Sequence, residues 1–445
     1  MSRKTAAAGS FDIMACLIKK LMIFLLLSGV LSLVSSKPCD PSTPEHGALT
    51  LSFTKKLLLH SQEDPNKLPN PSIHLALRMA PYHNQGIEND YLGRLKTQLH
   101  NDLQNSLSKG RPVTGLVALY ILALKASCYD ISTVTFNEDH LIHHLKKQME
   151  QEKEHIAATK RPLTNYYQYS LGILAQCVSG VRVSLHVRNK LIHAIDQGDL
   201  KHGNMEESVD TLAMAGMALQ CVKESNMEHV DAQLQQALTT VKGKLLASQR
   251  PDGHMGNEFS TGLAVQALLA MGSEVSECSQ AMEAMRTSAR NGIYHNPMAI
   301  SQVLPALHQR SYLQLKAHHC TNEDDSVILE PKEPTVEVSD GKVSLQVEVE
   351  VVNPEGHSSQ YFLDVPKGSS ILEALELLQQ MKRKFVFETE PSLWGSFLSV
   401  VNGVRARQSD RSYWHISSDG TSINEGISDF KILHPQKITI KKTRY

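Results

Sequence analysis

Ser208-Val-Asp-Thr-Leu-Ala-Met-Ala-Gly-Met-Ala-Leu-Gln-Cys221 is the stretch from which the fold can be read. It opens on Ser208 and Asp210, whose side chains accept from the free N–H groups of a helix start. It continues through Ala213, Ala215, Gly216 and Ala218, small residues that let a neighbouring helix come close, and ends on a cysteine. The same grammar recurs. Pro112-Val-Thr-Gly115 leads into an apolar run, as do Thr164-Asn-Tyr-Tyr-Gln-Tyr169, Asn257-Glu-Phe-Ser-Thr261 and Asn296-Pro-Met298. The starts repeat roughly every 40–50 residues, the period of stacked helix pairs. Closed into a ring, roughly five or six such units bring their polar starts together at one end. That end is a pocket for a large polar ligand.

The bulk composition agrees. The chain has 445 residues, 41% hydrophobic and 20% charged, with a net charge of −1. This fits a folded core in two or three domains and argues against nucleic acid, which needs a basic face. Lys19-Lys20, the apolar run Leu21–Val34 and Ser35-Ser36 read as a secretory signal over residues 1–36, with Met14 or Met22 as alternative starts. A membrane anchor is the weaker alternative, because the run falls short of the ~20 residues a span needs. Cys16 leaves with the signal. Cys39, Cys128, Cys177, Cys221, Cys278 and Cys320 remain, an even set that implies three disulfides in any of fifteen connectivities. No Asn-x-Ser/Thr acceptor survives the proline exclusion at Asn70-Pro-Ser.

Helix follows helix from about Asn70 to Cys320, after a helical patch around Leu49–His60. His140–His155, Leu191–Ile195 and Leu234–Leu246 have the pattern of outer helices, and no strands are expected here. The texture changes at Thr321. Asn322–Asp325 and Glu330–Pro334 form a polar, proline-marked linker. Beyond it, Val343–Val351 alternates strictly, and Tyr361–Val365, Lys384–Glu388, Leu398–Val401, Tyr413–Ile416 and Lys437–Lys442 read as further strands. Ser370–Met381 reads as an amphipathic helix, with Gly403 and Gly420 at turns. The expected division is 37–321 for the helical domain, 322–336 for the linker and 337–445 for a small α/β domain.

Catalytic signatures are missing. His140, His143 and His144 cluster without the His-Glu-x-x-His pattern, and Cys320 beside His318-His319 is needed for a disulfide. No nucleophile elbow, phosphate loop or dinucleotide fingerprint occurs. A helical ring is also a glycosidase scaffold, which would need two carboxylates facing across a sugar. The carboxylates near the starts are Glu206, Glu207, Asp210, Asp252 and Glu258. The other starts offer Thr, Tyr, Asn and Gln, which hold a ligand without moving protons. A non-enzymatic binder is expected, with a secreted α6/α6-barrel glycoside hydrolase as the alternative and a ligand-free interaction module as a third reading.

Several motifs resemble the secreted cobalamin (vitamin B12) carriers, the family of transcobalamin, intrinsic factor and haptocorrin. They are Tyr166-Tyr-Gln-Tyr-Ser-Leu-Gly-Ile-Leu-Ala, Ser208-Val-Asp-Thr-Leu-Ala-Met-Ala-Gly, Gly253-His-Met-Gly-Asn257, Phe259-Ser-Thr-Gly-Leu-Ala-Val-Gln-Ala-Leu and His295-Asn-Pro-Met-Ala-Ile-Ser-Gln302. In the last domain they are Ser392-Leu-Trp-Gly395, Tyr413-Trp414 and Asn424-Glu-Gly-Ile-Ser-Asp-Phe430. The resemblance runs through nearly all the mature chain in order. It implies an α6/α6 barrel followed by a small α/β domain, with cobalamin lying flat between them. It also implies a secreted, transcobalamin-like monomer that carries cobalamin and its cobalt to a cell-surface uptake receptor, without membrane insertion. The disulfide pattern it implies is Cys39–Cys278, Cys128–Cys320 and Cys177–Cys221.

The cobalamin contacts implied on the barrel are Thr164, Tyr167, Asp210, Asn257, Asn296 and Gln302. On the small domain they are Trp394, Gly395, Leu398, Trp414, Ile416 and Ile423. Two departures stand out. Leu116 follows Gly115 where a transcobalamin-type carrier has Gln. The loop Asp196–Glu207 is longer than in that pattern and has Glu206-Glu207 where the cobalt-binding His is expected. His202 is therefore the expected cobalt ligand in this chain, imidazole being suited to such a centre.

Overall fold

The computed structural model describes residues 39, 44–63, 68–109, 112–201, 207–225, 231–273, 275–329, 344–392, 395–407, 412–423 and 425–444. The signal predicted at 1–36 lies outside them. Among the described residues, twelve α-helices precede Ala317, in alternating outer and inner positions. The outer helices are α1 (Pro44–Glu63), α3 (Gln85–Lys109), α5 (Leu141–Thr159), α7 (Leu185–Gln197), α9 (Ala232–Ala247) and α11 (Val275–Arg290). The inner helices are α2 (Pro71–Arg78), α4 (Thr114–Ala126), α6 (Tyr166–Val178), α8 (Val209–Ser225), α10 (Ser260–Ala270) and α12 (Pro297–Leu307). Each inner helix packs on the next, and α12 packs back on α2, closing a ring of six. The expected α6/α6 barrel is the observed one.

Sequence dictates which helix goes where. Every residue of α2 is buried, as is every residue of α4 except Lys125. A helix as apolar as α4 can only be stable inside, and α2 takes Arg78 inside with it by pairing that side chain with Glu88 and Glu323. The outer helix α5 instead buries one stripe, Leu141, Ile142, Leu145, Gln148, Met149, Glu152 and Ile156, the three- and four-residue spacing of an amphipathic helix. Small residues set the close approach of inner helices. A Cβ added at Gly262 of α10 would sit 2.6 Å from the Gln302 carbonyl oxygen of α12, so any larger residue there would push two walls of the ring apart.

Asn or Ser side chains accept from the first N–H groups of every inner helix but α4. Asn70 Oδ1 accepts from Ser72 N at 2.9 Å, Asn165 Oδ1 from Gln168 N at 2.9 Å, Ser208 Oγ from Thr211 N at 3.3 Å and Asn296 Oδ1 from Ala299 N at 2.7 Å. Asn257 Oδ1 accepts from Ser260 N at 2.8 Å. The opposite end is tied shut. Cys177–Cys221 joins the C-terminal halves of α6 and α8, with Cα atoms 6.1 Å apart. Cys39–Cys278 and Cys128–Cys320 complete the implied pairing, with Cα–Cα distances of 5.2 and 6.0 Å. The 3-10 turn Tyr312–Ala317 packs against α4, α6, α8 and α10 and plugs the ring, with Lys316 Nζ donating to Ser225 Oγ at 2.9 Å.

One element was not expected. A two-residue turn at Asn137 and Glu138, with φ of 48° and 66°, joins β1 (Thr135–Phe136) to β2 (Asp139–His140). Two positive φ values make the type of turn that closes a minimal hairpin, and strands this short carry no alternation to detect.

After Cys320 the chain is strapped to the barrel before it leaves. His83 N donates to Asp324 O at 2.7 Å and Val327 N to His83 O at 3.0 Å. Arg78, buried, donates to Glu88 at 2.8 Å and to Glu323 at 2.5 Å. The first half of the polar linker is therefore fixed by a buried ion-pair network, and Val327 belongs to the barrel core.

The small domain has its own core. Its main sheet has strand order β4 (Ser358–Pro366), β3 (Ser344–Val352), β10 (Gln436–Arg444), β8 (Ser412–Ser418), β9 (Thr421–Ser422), with β3 and β10 parallel and the other pairs antiparallel. A second sheet joins β5 (Phe387–Ser392), β6 (Gly395–Val401) and β7 (Val404–Arg405). The helix α13 (Ile371–Met381) begins with a full capping box between Ser370 and Glu373. Leu345, Val347, Val349 and Val351 alternate into the core as their sequence foretells. The strand expected at Lys384–Glu388 starts later, at Phe387. Phe385 is fully buried at a turn closed by its own N–H on Lys382 O at 2.9 Å, so it packs as a core plug ahead of the strand.

Candidate functional site

From α4 to α12 the starts of successive inner helices are linked through side chains, which places them at one end of the ring. Between α4 and α6 the link is Glu152 of α5. Its Oε1 accepts from Thr114 Oγ1 at 3.0 Å and from Thr164 Oγ1 at 2.6 Å, and its Oε2 accepts from Thr164 N at 3.1 Å. Glu152 is 0% exposed. Burial raises its proton affinity and the Thr donors oppose that rise. The start of α4 has no cap of its own at Val113. Neighbours supply one: Val113 N donates to Gln148 Oε1 at 3.1 Å and Gly115 N to Gln168 Oε1 at 3.2 Å. A Cβ at Gly115 would meet Gln168 Cγ at 2.6 Å, so glycine is what admits this amide. Leu116 itself is buried, in line with a lost polar contact there, while Gln168 brings an amide to the same helix start.

Between α6 and α8, half-buried Tyr167 faces Asp210 and Tyr312. Burial first, and then those two neighbours, push its hydroxyl well above the usual range. Between α8 and α10, Ser260 Oγ donates to Asp210 Oδ2 at 3.2 Å. Burial pushes the Asp210 carboxyl up to about 6, with the Ser260 bond pulling the other way. It was Ser208, not Asp210, that became the cap of α8, so Asp210 is a partly desolvated acid facing into the mouth. Between α10 and α12, Tyr294 Oη donates to the Glu258 carbonyl at 3.0 Å.

Asn257 and Asn296 serve as caps through Oδ1. An Asn so used keeps two Nδ2 protons to donate, so capping and ligand binding are compatible. Gln302 lies half-buried in the second turn of α12. The structure thus brings Thr164, Tyr167, Asp210, Asn257 and Asn296 to one rim, at successive starts around the ring, with Gln302 one turn below.

The small domain contributes differently. Leu398, Trp414 and Ile416 are buried in its core, and Ile423 packs partly buried against them. Trp414 Nε1 is a buried donor without a hydrogen-bond partner, an unusual state for an indole and one an incoming acceptor would relieve. Gly395 has φ 98°, and its carbonyl accepts from Ser392 Oγ at 2.7 Å. Trp394 and His202 lie outside the described residues. A side-chain contact crosses between the bodies: His295 Nε2, beside the α12 cap, lies 2.9 Å from Glu425 Oε1, two residues beyond Ile423.

Of the carboxylates weighed for catalysis, Glu206 lies outside the described residues, and two others are engaged in ion pairs. Glu207 pairs with Lys244 at 2.7 Å, and Asp252 pairs with Arg250 at 3.2 Å while accepting from His254 N at 3.0 Å. His143 pairs with Asp139 on an exposed surface. Glu152 and Gln168 are the site residues that sequence reasoning missed. A charged side chain in the apolar stripe of α5 was the available signal for Glu152. Gln168 stands in the quoted start Thr164–Tyr169, but nothing local marks it as the partner of Gly115.

Comparison with known proteins gives the same picture. Residues 20–340 match the family described as eukaryotic cobalamin-binding protein, and residues 368–444 match a domain of unknown function. Transcobalamin-2 of Homo sapiens is 33% identical over 427 residues, covering 92% of this chain and 95% of that one. Cobalamin binding intrinsic factor of Homo sapiens is 26% identical over 402 residues, covering 88% and 91%. The crystal structure of haptocorrin in complex with Cbi aligns with a TM-score of 0.70 at 25% identity, over 91% of this chain and 99% of that one. Among the described residues no helix is long and apolar enough to cross a membrane. With a match spanning most of its length and both bodies in the same order, this chain belongs to the eukaryotic cobalamin-binding protein family.

Proposed function

We propose that this chain is a secreted cobalamin carrier that holds its ligand between the barrel rim and the small domain and delivers it to a cell-surface receptor. It binds and transports; it does not catalyse. The observation that carries the reading is the rim itself: successive helix starts present Thr, Tyr, Asp and Asn side chains toward one mouth, closed at the far end by a plug and a disulfide. Cobalamin's fringe of amides both donates and accepts hydrogen bonds, and neutral side chains satisfy both. Thr164, Tyr167, Asp210, Asn257, Asn296 and Gln302 are proposed to bind from the barrel. Trp394, Gly395, Leu398, Trp414, Ile416 and Ile423 are proposed to cover the other face. The unpartnered Trp414 Nε1 supports that side of the reading. His202 is proposed to ligate the cobalt. Residues 37–321 and 337–445 are the proposed domains, and 1–36 the proposed signal.

Equilibrium titration of the purified chain with cyanocobalamin tests this. Saturable one-to-one binding is expected, with a melting temperature that rises with ligand as RT ln(1 + [L]/Kd) requires. A melting temperature indifferent to saturating cobalamin sinks the reading. Aquocobalamin spectra of wild-type and His202→Ala protein test the cobalt ligand: identical spectra remove it.

A further inference from the structure

Glu152 sits where no ligand reaches, yet it determines what Thr164 can offer one. The side chain comes from outer helix α5, is fully buried, and accepts both hydroxyl protons of Thr114 and Thr164 on a single oxygen. The Thr164 bond, at 2.6 Å, has the length of a charge-assisted O–H···O⁻ bond. The second oxygen takes the Thr164 backbone N–H. A threonine hydroxyl has one proton to donate and two lone pairs to accept with. With its proton committed to Glu152, Thr164 meets the cleft as an acceptor alone.

We infer that Glu152 is a positioning residue that fixes the direction of the Thr164 hydrogen bond, so that Thr164 accepts from an N–H of a peripheral corrin amide and discriminates against a carboxylate at that place. The inference rests on the proposed cleft. It assigns a specificity to the barrel rim that the identity of Thr164 alone would not, because a free threonine hydroxyl rotates to donate or accept as needed. Two oxygens of acceptor character facing each other leave both without a proton between them, and leaving a buried polar group unpaired costs about 1–3 kcal/mol.

The test uses the full chain, cyanocobalamin, and its monocarboxylic derivatives, in each of which one peripheral amide is hydrolysed to an acid. In wild-type protein one derivative is expected to bind about tenfold or more weakly than cyanocobalamin, within the range that a lost buried hydrogen bond allows. Thr164→Val removes the acceptor but leaves Glu152 its charge, Thr114 and the backbone N–H. It should weaken cyanocobalamin and close that derivative's gap to within about threefold, since the unpaired acceptor is gone. Thr164→Ser should restore the gap. Glu152→Gln, which cannot accept all three donors, should narrow the gap with a lowered melting temperature. Thr164→Val carries the test should Glu152→Gln fail to fold. A gap that survives in Thr164→Val would show that the charge of Glu152 discriminates without the hydroxyl, and would overturn the inference. So would a wild type that binds every monocarboxylic derivative as well as cyanocobalamin. A wild type that binds no cobalamin at all would instead overturn the carrier reading.

Discussion

The barrel and the small domain hold their shapes by different means. The barrel is a closed ring, stapled by three disulfides and keyed at its rim by buried or half-buried polar links such as Thr114–Glu152–Thr164 and Asp210–Ser260. No disulfide occurs among the described residues of the small domain, whose core is built around one mixed sheet with an edge at β4. A closed ring has no free edge along which to deform. A sheet domain tethered by a strap and, among the described residues, the His295–Glu425 contact can shift as a body. On the proposed cleft, the barrel is then expected to be the pre-formed half and the small domain the half that closes.

If both halves grip the ligand, separating them has the largest effect. Residues 37–321 and 333–445 expressed apart should each bind cobalamin about 10²–10⁴-fold more weakly than the whole chain, the usual gain from joining two contact surfaces in one molecule. Isothermal titration of each piece checks this. Tight binding by the small domain alone would reverse the assignment of roles, because the pre-formed half would then be the dispensable one.

The disulfides sharpen the contrast within the barrel. Cys177→Ser together with Cys221→Ser should cost the barrel about 2–5 kcal/mol, the usual range for a native disulfide. In the ligand-free protein, a second transition from the small domain should stay where it is. Calorimetry separates the two, and a small-domain transition that moves with the barrel would mean that the bodies unfold as one.

What was legible in the sequence follows the same division. The ring could be read because small residues and polar starts repeat at Thr164, Ser208, Asn257 and Asn296, and each start turned out to mark an inner helix. The strand at β3 could be read because Val347, Val349 and Val351 alternate into a one-sided core. Contacts made across the fold were not legible. Glu152 meets Thr114 from another helix, Gln168 shields a helix start that lacks its own cap, and His295 finds Glu425 in the other body. Such pairings depend on closure of the ring, which no local pattern encodes. The cap of α8 shows the limit in miniature: Ser208 and Asp210 both suit the role, and only packing, which turns Asp210 toward Ser260, decides between them.

Asp210 carries the cost of that choice. Its carboxyl is pushed from 3.8 up to about 6 by burial, so the folded chain binds a proton that the unfolded chain releases. The resulting stability is complete below about pH 3.8 and is lost as pH rises through about 6. At neutral pH the ligand-free barrel therefore holds a charge it would rather not have. Asp210→Asn should stabilise the ligand-free protein at pH 7 by up to about 3 kcal/mol and should weaken cobalamin binding. Other carboxylates, such as Glu88 beside His83 and Arg78, are held low and respond to acid in the opposite sense. The measurement is therefore the difference in melting temperature between the two proteins at pH 4 to 7. A difference that does not grow across that window would show that Asp210 is not desolvated in solution.

The smallest expected effect lies where the two bodies meet. His295 and Glu425 are 59% and 14% exposed at a separation of 2.9 Å, so water screens the pair and the coupling should be about 0.2–1 kcal/mol. That is enough to change cobalamin release by roughly 1.4- to 5-fold. A double-mutant cycle with His295→Ala and Glu425→Ala isolates it from the loss of either side chain alone. Each single variant should speed release, and the double variant should release no faster than the quicker single. Reversing the pair, with His295→Glu and Glu425→Lys together, should recover most of the wild-type rate, whereas His295→Glu alone places two acids face to face and should release fastest. Additive singles would mean that the contact contributes nothing to closure, and the division into a fixed barrel and a moving small domain would then rest on the ligand's own contacts.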